Sequence, residues 1–263
     1  MPRFFVTSLS LFLVSPLFGC RTTASSDVAY AKSSTTVKAI RAQSCHDFKK
    51  VESCILRLHG YIADANVLDS LTDKGGVLDT QGYDVKKSEL AALRLYTGSL
   101  YKNINAALRG SSSDWDTYQN VIYASASALT KLSTLTVKGA VYRSENASAD
   151  KLPLFLDTYK VNNIILETPF LSATSNATLN FAIPDSKQML LRYVIQSKTA
   201  VDVSRFAELP QEQEVIFAPG AVFRVTSLTR SKIDSVEHSD EGPPVASVAA
   251  DVLNIGLEEI DPL

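Results

Sequence analysis

An α+β domain is what the texture of this chain predicts, on three observations. Helical spacing fills the front half, as in Ile40, Phe48, Val51, Ile55 and Leu58 and again from Glu89 onward. After Gly139 the chain changes to short apolar runs bounded by turn residues. No internal repeat and no strand–helix alternation links the two halves, which argues against a doubly wound parallel sheet. With 263 residues, 45% of them hydrophobic, the chain is long enough to bury a packed core.

The amino terminus explains location rather than fold. Arg3 gives a positive start, Phe4 to Val14 an apolar run, and Leu17-Phe18-Gly19-Cys20 a small-residue cleavage point ending in cysteine. Residues 1–19 thus form an export signal, too short for a comfortable membrane span. Its Leu-x-Gly-Cys ending resembles the bacterial lipoprotein signal, which implies acylation of Cys20 and a place in the cell envelope. An ordinary cleaved signal and a secreted soluble product are the alternative, because Phe18 is bulky for that position. Residues 20–36 are Ser-, Thr- and Ala-rich and read as a flexible tether. The folded domain is expected over 37–263.

Outside the cytosol Cys45 and Cys54 can be oxidised, and the eight residues between them allow a disulfide-closed loop. A zinc site with His46 and His59 is the minor alternative, since the spacing matches no common ligand pattern. No metal is expected. Balanced charge, 26 basic against 28 acidic residues, leaves no electrostatic footprint for nucleic acid. No Lys/Arg run marks a charged membrane surface, so membrane contact is expected through an acyl anchor only.

Along the domain, Ser88 precedes Glu89-Leu90-Ala91-Ala92-Leu93 as the cap of a helix. Gly98 interrupts that helix, Ser99 to Arg109 resumes it, Gly110 to Asp114 closes it, and a further helix runs near Thr117 to Lys131. Strands are predicted at Ala140–Tyr142, Ile164–Leu166, Met189–Ile195, Val215–Phe217, Val222–Val225 and Val252–Leu257. The acidic, Pro-containing stretch Ser235–Pro244 is the longest predicted loop.

Chemistry concentrates at Glu212-Gln213-Glu214, which runs straight into the strand Val215-Ile216-Phe217. Strand residues two apart project from one face, so both carboxylates are expected to enter one cleft. A solvated turn before an ordinary hairpin is the plainer alternative. Three further sites precede it: Val141-Tyr142-Arg143, Phe170-Leu171-Ser172-Ala173-Thr174, and Tyr96-Thr97-Gly98 with Tyr101 and Asn105.

The order arginine, serine-centred motif, Glu-x-Glu resembles the arginine-specific mono-ADP-ribosyltransferases, bacterial exotoxins and ectoenzymes of the R-S-E type, over roughly Glu89 to Val225. That resemblance implies an ADP-ribosyltransferase fold of two packed, roughly perpendicular β-sheets around an NAD cleft, with a helical half in front. It implies a transfer in which the nicotinamide–ribose bond of NAD breaks and ADP-ribose passes to an arginine of a target protein. By the same resemblance Glu214 stabilises the ribosyl cation, Ser172 orients Glu214, Glu212 activates the acceptor, and Arg143 holds the NAD phosphates. Tyr96, Tyr101, Asn105 and Phe181 line the NAD site, with core packing or a surface ion pair as the plain alternatives for the aromatics and Arg143. NAD enters as a substrate, and the protein is expected to be a monomer acting as an exported toxin or effector.

Two positions depart from the pattern. Ala173 stands at the centre of the serine motif, and Leu209, three before Glu212, stands where many members carry an aromatic for target recruitment, unless Phe206 takes over. Two rival functions use the same features: an NAD glycohydrolase with water as acceptor, and a catalytically silent envelope lipoprotein serving as a binding module.

Overall fold

The first helix in the structure, α1 (Lys87–Leu95), belongs to a computed structural model that describes residues 83–111, 114–179, 187–237 and 245–261. The signal, the tether, the helical stretch over 37–68, Cys20, Cys45, Cys54, Phe181 and residues 238–244 of the predicted loop lie outside the described residues.

Ser88 is not the cap of α1. Lys86 occupies that position, and Glu89 reaches back to accept its backbone N–H at 2.8 Å, while Ser88 is buried in the first turn. Glu89 is itself fully buried and accepts from Ser127 Oγ at 2.5 Å and Lys131 Nζ at 2.9 Å. Both partners sit on α3 (Trp115–Lys131), so one acid caps α1 and fastens it to α3. A carboxylate can remain this deep only because both oxygens are engaged.

The interruption expected at Gly98 takes the form of a π-type turn, Tyr96–Leu100, before α2 (Tyr101–Leu108). Gly98 leaves helical geometry there (φ −100°, ψ −132°), and a Cβ at this position would lie 2.1 Å from Glu208 Oε2. The glycine thus permits close approach of the segment that precedes the twin glutamates.

Among the described residues eight strands follow: β1 (Gly139–Ser148), β2 (Ile164–Glu167), β3 (Leu171–Thr174), β4 (Gln188–Ser197), β5 (Val201–Asp202), β6 (Glu214–Phe217), β7 (Ala221–Glu237) and β8 (Val245–Ile260). A short helix, α4 (Leu152–Thr158), lies between β1 and β2 with Pro153 in its first turn, where sequence periodicity predicts none. The strands order as β2-β7-β8-β4-β1-β3-β6-β5, all pairs antiparallel except β4 with β8.

The two expected sheets are therefore continuous in hydrogen bonding. They meet at a narrow junction: β1 pairs with β4 along its whole length but with β3 only at Tyr142↔Thr174. The three-strand part and the five-strand part nevertheless share one core. Leu171, Ala173, Val215 and Phe217 from β3 and β6 pack with Leu191, Tyr193, Phe223, Val225 and Leu253 from β4, β7 and β8. Strand β6 is buried on both faces, and its alternation decides what each face meets. Val215 and Phe217 face that inter-strand core, while Ile216 joins the helical core of α1, α2 and α3.

Candidate active site

The same alternation places the chemistry. Glu214 shares parity with Ile216 and so projects toward the helices, and Ser172, which pairs with Ile216, projects to the same side of β3. Ser172 Oγ donates to Glu214 Oε1 at 2.5 Å. Glu214 is 6% exposed, and burial pushes its carboxyl up to about 7; the Ser172 hydrogen bond and Arg143 pull it down, and Glu212 pushes it further up. A carboxylate buried this far, with Ser172 as its one hydrogen-bond donor among the described residues and a cation nearby, is poised to respond to positive charge that arrives beside it.

Glu212 is near but not where strand alternation predicts. It ends a 3-10 turn (Pro210–Glu212), and Gln213 adopts a left-handed conformation (φ 47°) before β6 starts at Glu214. The backbone therefore passes from Glu212 to Glu214 through a turn rather than along a strand. That turn is pinned to β3: Thr174 Oγ1 donates to Glu212 O at 2.7 Å and Ser175 N to Gln213 O at 3.1 Å. Glu212 is half-buried, and partial burial raises its carboxyl above the ordinary range.

Arg143 approaches from the other side. It shares parity with the core residues Val141 and Ala147 on β1, so it rises from between the two parts of the sheet. Nη1 donates to Ser172 O at 2.8 Å and Nη2 to Glu145 Oε2 at 2.9 Å. Burial opposes its charge, but Glu145 and the Tyr193 oxygen outweigh that effect, and its pKa is raised. Ser172 is thus held on its backbone by Arg143 while its hydroxyl holds Glu214.

The helical residues divide in role. Tyr96 is 1% exposed, with its ring 4.8 Å from that of Phe170 and its hydroxyl donating to Phe170 O at 3.2 Å. Asn105 Nδ2 donates to both Tyr96 Oη and Phe170 O at 3.2 Å. Tyr96 is thus packed beneath the site instead of leaning over it, and with Asn105 it fixes the chain just before β3. Burial raises the Tyr96 hydroxyl, which stays protonated and donating. Tyr101 is the half-exposed member; burial raises it, and Arg143, Glu145 and Glu212 all act on it. Leu209 is exposed and Phe206 is 2% exposed in the helical core, so Phe206 does not stand in for the missing recruitment aromatic. Phe181, Cys20, Cys45 and Cys54 lie outside the described residues.

Several residues that sequence inspection passed over surround Arg143. Glu145 accepts from Tyr193 Oη at 2.8 Å, and Tyr193 lies 3.3 Å from Tyr159 Oη. Buried Glu167 stands 3.6 Å from Arg109 Nη2 at the end of α2, and burial pushes its carboxyl up to about 7. A small cavity between the sheet parts is lined by Arg143, Tyr159, Glu167 and Tyr193 among others. The acid two residues after Arg143 was the available signal; the tyrosines become visible only through strand register. Among the described residues no cluster of three or more His, Cys, Asp or Glu could hold a metal ion.

Comparison with known proteins identifies the family and the fold. Residues 68–242, about two thirds of the chain, match the family described as ADP-ribosyltransferase exoenzyme. A Mycobacterium avium protein provisionally named NAD(+)–arginine ADP-ribosyltransferase Mav is 32% identical over 161 residues, which are 61% of this chain and 18% of that protein. The chain thus spans under a fifth of the length of this curated relative. Among solved structures, the type III effector XopAI of Xanthomonas axonopodis pv. citri superposes with a TM-score of 0.55 at 16% identity, covering 90% of this chain and 100% of that one. HopU1, an ADP-ribosyltransferase of Pseudomonas syringae pv. Tomato DC3000, gives 0.55 at 18% identity over 73% of this chain and 87% of its own. At these identities the structural likeness shows the fold alone, and that fold is the ADP-ribosyltransferase fold. The chain belongs to the ADP-ribosyltransferase exoenzyme family.

Proposed function

We propose that this protein transfers ADP-ribose from NAD to an arginine side chain of a target protein, releasing nicotinamide. The observation that carries it is the contact of Ser172 Oγ with the buried carboxylate of Glu214, beside a cation on Ser172 O. Breaking the nicotinamide–ribose bond sends the bonding electrons to nicotinamide and leaves an oxocarbenium-like ribosyl cation. An ionised carboxylate beside it stabilises charge that appears mainly in the transition state. Glu214 is assigned that task. The nicotinamide ring of bound NAD is itself positive, so its arrival favours the ionised form of a carboxyl that burial holds at about 7.

Ser172 keeps Glu214 in one orientation, which is worth more than a freely rotating acid. Arg143 is assigned to the NAD diphosphate, for which a permanent forked cation is suited. An acceptor guanidinium is protonated up to a pKa above ~12 and needs a base as its nitrogen bonds to the ribose carbon. Glu212, half-buried and with its carboxyl raised by partial burial, is assigned to orient that guanidinium and take its proton. The name of the Mycobacterium avium relative supports arginine as acceptor. Export and acylation at Cys20 are inferred from the Leu17-Phe18-Gly19-Cys20 ending, and cell fractionation of a Cys20→Ser variant tests them.

Radiolabelled NAD incubated with polyarginine or agmatine tests the transfer. Label on the guanidinium compound, lost in Glu214→Gln, is the expected result. Nicotinamide release with no label transferred would make water the acceptor and overturn the arginine assignment.

A further inference from the structure

Arg143 depends on a partner that the R-S-E pattern does not contain. We propose that Glu145, held in turn by Tyr193, is the positioning residue that fixes the Arg143 guanidinium for the NAD diphosphate. This rests on the assignment of Arg143 to NAD.

The geometry is specific. Arg143 and Glu145 lie two apart on β1 and so share a face, and Arg143 pairs in register with Tyr193 on β4. Three side chains thus converge on one patch of two adjacent strands. Glu145 uses both oxygens: Oε2 accepts from Arg143 Nη2 at 2.9 Å and Oε1 from Tyr193 Oη at 2.8 Å. Tyr193 is 2% exposed and cannot swing away, because Tyr159 at the end of α4 stands edge-on to it with ring centroids 5.7 Å apart. Tyr159 in turn stacks with Phe155 on α4 at 6.2 Å. A chain of contacts therefore runs from α4 through Tyr193 and Glu145 to Arg143, and on through Ser172 to Glu214.

The charge pattern explains why an acid is used. An arginine alone between two sheet parts would fold back on whichever carbonyls are near. Glu145 occupies Nη2 and leaves Nη1 on Ser172 O, so two of its three nitrogens are fixed before NAD arrives. That is preorganisation, which strengthens binding without new contacts to the ligand. The pair is not a surface ornament, since Arg143 and Glu145 keep only 26% and 18% of their side-chain surface. Because the contact acts on the held dinucleotide in both ground and transition states, its loss is read in KM for NAD with kcat little changed.

The test measures NAD glycohydrolase kinetics and NAD affinity by calorimetry in wild type, Arg143→Ala, Glu145→Gln, Tyr193→Phe and the Arg143→Ala/Glu145→Gln double variant, with melting temperature as the folding control. Glutamine keeps one acceptor oxygen where two donors need one each, and phenylalanine keeps the ring packing of Tyr193. Glu145→Gln is expected to raise KM and Kd about tenfold, the worth of one charge-assisted hydrogen bond. Tyr193→Phe is expected to raise them severalfold, and Glu145→Gln to add almost nothing in the Arg143→Ala background. If Arg143→Ala leaves NAD affinity unchanged, the assignment of Arg143 to NAD is wrong. If Arg143→Ala weakens NAD but the Glu145 and Tyr193 variants do not, or if Glu145→Gln costs as much without Arg143 as with it, the positioning role is wrong and the NAD site stands.

Discussion

Replacing Ser172 by alanine removes one hydroxyl, and the structure says what that does to Glu214. The Oγ–Oε1 contact is the hydrogen bond that draws this buried carboxyl back toward the ionised form. With its midpoint at about 7, Glu214 is ionised in roughly seven molecules of ten at pH 7.4. A hydrogen bond to a charged group is worth about 1.5 to 3 kcal/mol, so losing it moves the midpoint up by roughly one to two pH units. The ionised fraction at pH 7.4 then falls to about 2 to 20%, and kcat/KM for NAD hydrolysis falls roughly four- to thirtyfold. Much of that loss should return as pH rises toward ~9.5, because kcat/KM follows ionisation of the free enzyme. The assay is a kcat/KM profile from pH 6 to 10 for wild type and Ser172→Ala, by nicotinamide release. A uniform drop with the wild-type midpoint, or no drop, would refute the coupling of Ser172 to Glu214.

Further outcomes follow from the same contacts. Glu212→Gln should lower transfer to agmatine at least a hundredfold, within the range of general base catalysis, while NAD hydrolysis changes by less than about fivefold; parallel loss of both would contradict its role toward the acceptor. Glu214 and Glu167 are both raised from 4.5 to about 7 by burial, so the folded state binds more protons than the unfolded state between those values. Stability should therefore fall as pH rises from about 4.5 to about 7, by up to ~3 kcal/mol for each group. Glu214→Gln should raise the melting temperature at pH 8 by several degrees while abolishing activity, and leave it almost unchanged at pH 4.5. A lower melting temperature at pH 8 would show that Glu214 is not held at a stability cost.

The sequence carried the parts of this site whose chemistry is written in residue type. Gly98 breaks the helix where expected, Arg143 and Ser172 fall on strands, and Glu214 begins one. What escaped it depends on register or on single dihedral angles. The left-handed Gln213 moves Glu212 off the strand, and nothing in Glu-Gln-Glu announces that. Helix α4 escaped because Leu152-Pro153-Leu154-Phe155-Leu156 carries an apolar run without helical spacing, with only Phe155 of it buried. Strands β7 and β8 run far past their apolar segments because cross-strand pairs extend them, as where Arg230 Nε and Nη2 meet the two Asp251 oxygens at 3.0 and 2.9 Å. Tyr193 reaches Glu145 only through the pairing of β1 with β4, a long-range register that local pattern does not encode.

Whether Glu214, Ser172 and Arg143 form a site for NAD cleavage is tested most directly by a crystal structure of Glu214→Gln with NAD bound. The expected result is the nicotinamide ribose within hydrogen-bond distance of residue 214, with the diphosphate on the Arg143 guanidinium. NAD bound elsewhere, or with its adenosine end at residue 214, would contradict it.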